Sequence, residues 1–143
     1  MSTPAPFGRM LTAMVTPFKK DGSIDWDGVE KIADHLVKTG HDGIVVNGTT
    51  GEAPTTKSSE KEEIIKVVKR VVGANIKVVS GAGDNETDYS INQAKRSEAA
   101  GADGILVVTP YYNKPPQAGI KAHFLAMANA TGPPMMLYDI PGR

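Results

Sequence analysis

The chain has 143 residues, of which 40% are hydrophobic and 22% charged, and its 16 basic residues balance 16 acidic ones. This composition is ordinary for a globular protein, and the zero net charge gives no reason to expect nucleic acid or anionic lipid as a partner. The absence of cysteine excludes a disulfide framework and a thiolate metal site. Because we find neither a signal-peptide pattern nor an apolar run near the roughly 20 residues of a membrane span, we expect a cytoplasmic protein without a membrane segment.

Short apolar runs alternate with longer amphipathic segments along the chain. The mostly apolar run 10–16, closed by Pro17, is typical of a strand buried on both faces. Apolar residues then recur at helical spacing over 25–39, and Gly40 supplies a helix stop. The same alternation predicts further strands over 43–47, 77–80, 104–108 and 135–138. It also predicts a second helix that Ser58 or Ser59 caps, and further helices over 86–100 and 117–130.

The second predicted helix carries two smaller signals. Ser59 and Glu62 have the spacing of a capping box, in which two side chains satisfy backbone N–H groups at the start of a helix. The basic residues Lys61, Lys66 and Lys69 are interpreted as a solvated face that needs no partner.

An internal repeat sharpens the fold prediction. Residues 40–46 and 101–107 share the pattern Gly-x-Asp-Gly-Ile-x-Val at an offset of 61 residues, which is about two βα units of ~30 residues each. In both copies we expect the first Gly to end a helix and Asp-Gly to turn the chain into a strand. Val/Ile-rich strands that alternate with helices indicate a parallel sheet covered by helices. The repeated joint favours a barrel over an open doubly wound sheet.

A complete (β/α)8 barrel, or TIM barrel, needs about 250 residues and at least about 200. The sequence therefore predicts the first five strands and four helices of such a barrel, with residues 1–143 as the N-terminal part of a single domain. An open five-stranded sheet is the alternative, but the fifth strand carries none of the features that protect a sheet edge.

In a barrel of this kind the active site lies at the C-terminal ends of the strands. After the second strand, Gly48 and Gly51 let the backbone around Thr49 and Thr50 come close to a ligand, so main-chain N–H groups could hold a carboxylate or phosphate. A tight βα turn whose threonines cap the next helix explains the same residues equally well. The segment lacks the lysine of a nucleotide-binding P-loop.

Two tyrosines and an arginine stand at other strand ends. Tyr112 and Tyr138 carry hydroxyl groups that donate and accept, so either could relay a proton, although either alone could be an aromatic residue at the barrel mouth. Arg143 could form a bidentate contact with a substrate carboxylate or be a solvated surface residue. The histidines predict no metal site, because they are scattered over His35, His41 and His123.

Three motifs together resemble one known family. Gly-Thr-Thr-Gly-Glu at 48–52, Val-Thr-Pro-Tyr-Tyr-Asn at 108–113 and Leu-Tyr-Asp-Ile-Pro-Gly-Arg at 137–143 follow one another at the ends of strands two, four and five. From Gly8 to Arg143 the sequence resembles the dihydrodipicolinate synthase/N-acetylneuraminate lyase family. The resemblance implies a barrel of roughly twice this length, assembled as a tetramer of two dimers. It also implies a lyase without cofactor or metal that joins pyruvate to an aldehyde through a Schiff base on a lysine of the sixth strand.

The resemblance implies a proton relay. Tyr138, Thr49 and Tyr112 correspond to the family's hydrogen-bonded Tyr-Thr-Tyr set, in which Tyr112 reaches in from the neighbouring subunit. Tyr138 is then the general acid and base for Schiff-base formation and aldol addition.

The resemblance also implies how the substrates are held. Thr50, in the turn that begins at Gly48, would bind the pyruvate carboxylate, and Arg143 would meet the carboxylate of L-aspartate 4-semialdehyde. The double threonine and the arginine favour the dihydrodipicolinate synthase branch, which serves lysine and diaminopimelate biosynthesis.

The nucleophilic lysine of the family has no counterpart in this sequence. No lysine ends a predicted buried strand, so we expect it beyond Arg143 and expect this chain alone to be inactive. Two alternatives stay open: a half-barrel that binds a 2-oxo acid or assembles without catalysis, and an aldolase of the same family that acts on a 2-keto-3-deoxy sugar acid.

The allosteric site of lysine-inhibited family members is matched only in part. Asn85 and Tyr111 fit that site. Histidine and acidic residues are absent at the remaining positions, which are Ser58, Lys61 and Tyr89. We therefore do not expect lysine to inhibit.

Overall fold

Five strands alternate with four α-helices in the computed structural model, which describes residues 5–140. The strands are β1 (Leu11–Ala13), β2 (Gly43–Val46), β3 (Lys77–Gly81), β4 (Gly104–Val108) and β5 (Met135–Tyr138). The helices are α1 (Trp26–Lys38), α2 (Ser58–Val72), α3 (Thr87–Ala99) and α4 (Gln117–Ala130), with a short 3-10 turn at Ala53–Thr55.

Each strand pairs in parallel with the next strand along the chain, so the sheet order is β1-β2-β3-β4-β5. A doubly wound sheet reverses its strand order part way, whereas the wall of a barrel continues in one direction. The predicted barrel wall of five strands and four helices is therefore confirmed. None of the helices within residues 5–140 is long and apolar enough to cross a membrane.

The core lies between the middle strands and the helices. Ile44, Val78 and Ile105 are fully buried and belong to one apolar cluster with Val29 of α1 and Ile65 of α2. Burial of each such side chain contributes about 1.5–3 kcal/mol. This layer fixes the middle strands, and with them the loops that begin at their C-terminal ends.

The first strand differs from its prediction. β1 contains only three residues, its burial is partial, and Met10 and Val15 beside it are 53% and 49% exposed. Within the described sheet, β1 has β2 as its one neighbour. The prediction of a strand buried on both faces is wrong here because an apolar run does not show how many neighbours a strand has.

The repeated Asp-Gly joints are tied to the sheet by their aspartate side chains. The Asp42 carboxylate accepts from the backbone N–H groups of Arg9 at 2.7 Å and Met10 at 2.9 Å. The Asp103 carboxylate accepts from the N–H of Val78 at 2.8 Å. The bonds from Arg9 and then Met10 hold the pKa of Asp42 below its usual value. Each copy of the repeat thus fastens a new strand to the one before it.

Lys69 is not part of a solvated face. Its Nζ lies 2.8 Å from Oδ2 of Asp103, and the two side chains are only 24% and 21% exposed. The interpretation of this lysine is wrong because its partner lies 34 residues further along the chain, which helical spacing does not reveal.

The cap of α2 also differs from its prediction. The N-cap is Lys57, and its backbone N–H donates to the Glu60 carboxylate at 2.7 Å. Ser58 is already the first helical residue. The expected box of Ser59 and Glu62 therefore does not form, and Glu62 pairs with an arginine of α3 instead.

Candidate functional site

The C-terminal ends of the strands border a cleft of about 750 Å³. Gly48 and Thr49 after β2 and Tyr138 at the end of β5 line it, as does Lys61 of α2. The structure thus brings together three residues that the sequence predicts for the site from two different strand ends. Arg143, also predicted for the site, lies outside the described residues.

The segment that begins at Gly48 forms a tight turn. The Gly48 carbonyl accepts from the N–H groups of Gly51 at 3.1 Å and Ala53 at 3.2 Å. Neither the N–H of Thr49 nor that of Thr50 donates to another residue within 5–140. Both threonines are exposed, but only Thr49 lines the cleft. Two neighbouring N–H groups without a protein partner can both donate to a carboxylate ligand.

Buried polar side chains hold this turn at both ends. The Thr16 hydroxyl donates to the Gly51 carbonyl at 2.7 Å. Asn47 is 4% exposed and has a left-handed backbone with φ 58°. Its Nδ2 donates to Oγ of Ser80 at 3.1 Å and to the carbonyl of Lys61 at 3.2 Å. Asparagine adopts a left-handed backbone more readily than most other residues, so Asn47 can turn the chain after β2 at little cost in backbone strain.

The tyrosines of the predicted relay lie in different surroundings. Tyr138 lines the cleft, whereas Tyr112 is 91% exposed and does not line it. No hydrogen bond joins the hydroxyl groups of Tyr138, Thr49 and Tyr112 in the part of the chain that the structure describes. A single chain therefore places two of the three hydroxyl groups at the cleft and presents the third to solvent.

The two residues predicted for an allosteric site lie in the loops after β3 and β4. Tyr111 lines the cleft, and its hydroxyl donates to the Asp84 carboxylate at 2.9 Å. The Asn85 carbonyl accepts from Nδ2 of Asn113 at 3.1 Å. These bonds connect the two loops to each other.

A buried histidine lies on α4. His123 is 4% exposed, its Nδ1 is hydrogen-bonded to the Thr87 hydroxyl at 3.0 Å, and its Nε2 has no partner among the described residues. Burial lowers the pKa of His123 below its ordinary value of 6.5, and the Asp84 carboxylate opposes that effect. We find no group of three or more His, Cys, Asp or Glu within residues 5–140 that could hold a metal ion.

The fold and the cleft define a class of protein, the β/α barrels, in which the binding site lies at the C-terminal ends of the strands. The sequence profile of the dihydrodipicolinate synthetase family matches residues 6–143. The chain belongs to this family.

The relatives agree with that assignment, and the chain spans about half of their length. It is 59% identical over 140 residues to the 4-hydroxy-tetrahydrodipicolinate synthase of Acidothermus cellulolyticus, covering 98% of this chain and 46% of that protein. It superposes on dihydrodipicolinate synthase from Cyanidioschyzon merolae with lysine bound at a TM-score of 0.93 and 52% identity, covering 96% and 47% of the two chains. For the chloride-inhibited enzyme from Acinetobacter baumannii complexed with pyruvate, the TM-score is 0.91, the identity 42% and the coverage 94% and 46%.

Proposed function

We propose that this chain is part of a Schiff-base lyase that condenses pyruvate with L-aspartate 4-semialdehyde to give 4-hydroxy-tetrahydrodipicolinate. This step belongs to lysine and diaminopimelate biosynthesis, and we place it in the cytoplasm. The observation that carries the proposal is the meeting of the Gly48 turn and Tyr138 at one cleft. A relative named 4-hydroxy-tetrahydrodipicolinate synthase, which is 59% identical over 140 residues, and a similar structure complexed with pyruvate support this choice of substrates.

The turn after β2 is suited to the pyruvate carboxylate. The N–H groups of Thr49 and Thr50 have no partner within residues 5–140, and the Thr50 hydroxyl adds a third donor. Donors fixed before substrate arrives lose little entropy on binding and orient the 2-oxo carbon for attack. Arg143 would hold the carboxylate of the semialdehyde, since a guanidinium group matches carboxylate geometry.

We assign the proton transfers of the reaction to the Tyr138 hydroxyl, which belongs to a residue that lines the cleft. A lysine amine adds to the 2-oxo carbon of pyruvate and water leaves, and a proton must be delivered to the departing oxygen. The resulting iminium withdraws electrons, so the methyl group loses a proton and the enamine carbon attacks the aldehyde. The amine of the semialdehyde then adds to the iminium carbon and displaces the lysine, which closes the ring and releases the product. Tyr138 gives and takes these protons, and Thr49 connects it to Tyr112 of a neighbouring subunit, because a hydroxyl both donates and accepts.

The lysine nucleophile belongs outside the described residues. None of the strands β1 to β5 ends in lysine. Lys61 lines the cleft, but from α2 rather than from a strand end. We place the nucleophile on a sixth strand of the complete barrel.

Kinetics of the complete protein that contains this chain test the proposal. We expect turnover of pyruvate with L-aspartate 4-semialdehyde, and a loss of about 10²–10⁴-fold in kcat for Tyr138→Phe, as for removal of a general acid-base group. Turnover of a 2-keto-3-deoxy sugar acid in place of the semialdehyde would refute the assignment of substrate.

We propose that the protein is a homotetramer built from dimers that share their active sites. The 91% exposure of Tyr112 supports this, since a catalytic hydroxyl outside its own cleft needs another subunit. Co-expressed Tyr112→Phe and Tyr138→Phe subunits should regain activity, because one site of each mixed dimer then has both tyrosines. If the mixture is no more active than either variant alone, Tyr112 does not act in the site of a neighbouring subunit, and the proposed sharing of active sites is wrong.

Finally, we propose that Asn85 and Tyr111 belong to the position of the family's allosteric site, and that free lysine does not inhibit this enzyme there. Its other positions hold Ser58, Lys61 and Tyr89 in place of histidine and acidic residues. Initial rates should be unchanged by millimolar lysine, and a fall by half or more contradicts this expectation.

A further inference from the structure

The backbone around Tyr112 is unusual. The N–H of Asn113 donates to the carbonyl of Tyr111 at 2.8 Å, and Tyr112 between them has φ 68°. A hydrogen bond from residue i+2 to residue i around a positive φ is the rarer and more strained form of the γ-turn. Strained backbone of this kind persists only where surrounding contacts impose it, and it is concentrated at functional sites.

The Tyr112 ring does not impose this turn. The residue is 91% exposed in the single chain, so no packing within its own chain fixes the phenol. Within one subunit, the direction in which the phenol leaves the chain is therefore set by the backbone on either side. Contacts that hold the two flanking residues are the ones that can determine it.

Both flanking residues are tied to the loop after β3. The Tyr111 hydroxyl donates to Oδ2 of Asp84 at 2.9 Å, and Nδ2 of Asn113 donates to the Asn85 carbonyl at 3.1 Å. Since a bond to a carboxylate is stronger than one between neutral groups, the Asp84 contact is the stronger of the two. We name Asp84, Asn85, Tyr111 and Asn113 the loop clamp.

Asp84 is itself well anchored. Its N–H donates to Oγ of Ser90 at 2.9 Å, and its Oδ1 accepts from the N–H of Asn85 at 2.8 Å. Ser90 is fully buried on α3. Asp84 is therefore a fixed point, because its backbone is bonded to the buried Ser90 and its carboxylate is bonded to the Tyr111 hydroxyl beside the strained turn.

We infer that Asp84 is a positioning residue for Tyr112. Its carboxylate holds Tyr111, and through Tyr111 and the rest of the loop clamp it keeps the γ-turn that aims the Tyr112 hydroxyl. The inference rests on the proposed role of Tyr112 in the proton relay. Loss of the carboxylate lets the turn relax, so the phenol samples positions away from the neighbouring site.

The test uses variants of the complete protein. Asp84→Ala should lower kcat about 10–100-fold, the effect of a displacement near 1 Å in a catalytic group, while KM for pyruvate changes less than twofold. Tyr111→Phe should reproduce much of this loss, and Asp84→Asn, which retains an acceptor oxygen, should recover part of it. Asp88→Ala is the control, since the carboxylate of this exposed aspartate accepts no hydrogen bond within the described residues.

The decisive comparison is made in a Tyr112→Phe background. If Asp84 acts by placing the Tyr112 hydroxyl, Asp84→Ala should cause no further loss of kcat once that hydroxyl is gone. An equal loss in both backgrounds, or an Asp84→Ala variant that behaves like Asp88→Ala, would overturn the inference and leave the proposed function standing. Wild-type kcat for Tyr112→Phe alone would overturn the relay role and the inference with it.

Discussion

A methyl group added at Gly81 should disturb the site through the backbone. Gly81 ends β3, and a Cβ built on it lies 2.3 Å from the carbonyl oxygen of Asn47 and 3.3 Å from the nitrogen of Gly48. Contacts below 3.0 Å are essentially never seen for Cβ, so β2 or β3 must move by roughly 0.7 Å or more. No flexible side chain can absorb the clash, because the atom in contact belongs to the main chain.

The size of the effect follows from that displacement. Overpacking of a close-packed region costs about 1–3 kcal/mol, and each kcal/mol lowers Tm by roughly 2–4 °C in proteins of 150–250 residues. A shift of this size where the Gly48 turn begins should also lower kcat/KM for pyruvate by about 10–100-fold, since misplacement by 1 Å can cost 10²-fold.

Gly81→Ala in the complete protein, measured by thermal unfolding and steady-state kinetics, tests this reasoning. The matched control is Gly119→Ala on α4, where the nearest atom to the new Cβ lies 3.2 Å away on the Pro115 side chain. Gly119 lies in the first turn of α4, where alanine in place of glycine should be neutral or stabilise by up to about 0.5–1 kcal/mol. Equal Tm and equal kcat/KM for the two variants would show that the close packing of β3 on β2 at Gly81 does not determine the position of the Gly48 turn.

Two further predictions concern stability. Asp103→Ala removes the acceptor of Lys69 and of the Val78 N–H, so the free energy of unfolding should fall by about 1–3 kcal/mol. The control Asp34→Ala breaks an exposed ion pair within α1 and should cost at most about 0.5 kcal/mol. Equal losses for the two variants would contradict the greater importance of the half-buried pair. Because burial lowers the pKa of His123, the unfolded chain takes up a proton before the folded one as pH falls below about 6.5, and stability drops there while staying flat above it. His123→Asn should remove that part of the pH dependence in denaturant titrations, and parallel profiles for the two proteins would refute it.

Most of the fold could be predicted because local signals and tertiary packing agree. β4, α4 and β5 have the predicted bounds. The two strands are short apolar runs, and glycine or proline residues lie close to the ends of all three elements. β1 could not be predicted correctly, because burial of a strand depends on its neighbours in the sheet. The cap of α2 failed for a similar reason, since several residues near Lys57 have suitable side chains and only their geometry decides between them.

The candidate site was predictable where it lies at strand ends and unpredictable where distant side chains meet. Thr49 and Tyr138 could be named because parallel strands bring their C-terminal ends to one edge. Asn47 and Asp84 were missed, since their contacts join residues up to 33 positions apart. An Asn-Gly pair at the end of β2 was a usable signal for a left-handed residue, whereas nothing local distinguishes Asp84 from a surface aspartate.

Trapping with pyruvate and borohydride tests the central claim most directly. We expect the complete protein that contains this chain to gain one reduced pyruvate adduct per subunit by intact mass, on a lysine outside residues 5–140. Lys61→Met should retain the adduct, although Lys61 lines the cleft. Absence of an adduct, or its loss in Lys61→Met, would contradict a Schiff base on a lysine of a sixth strand.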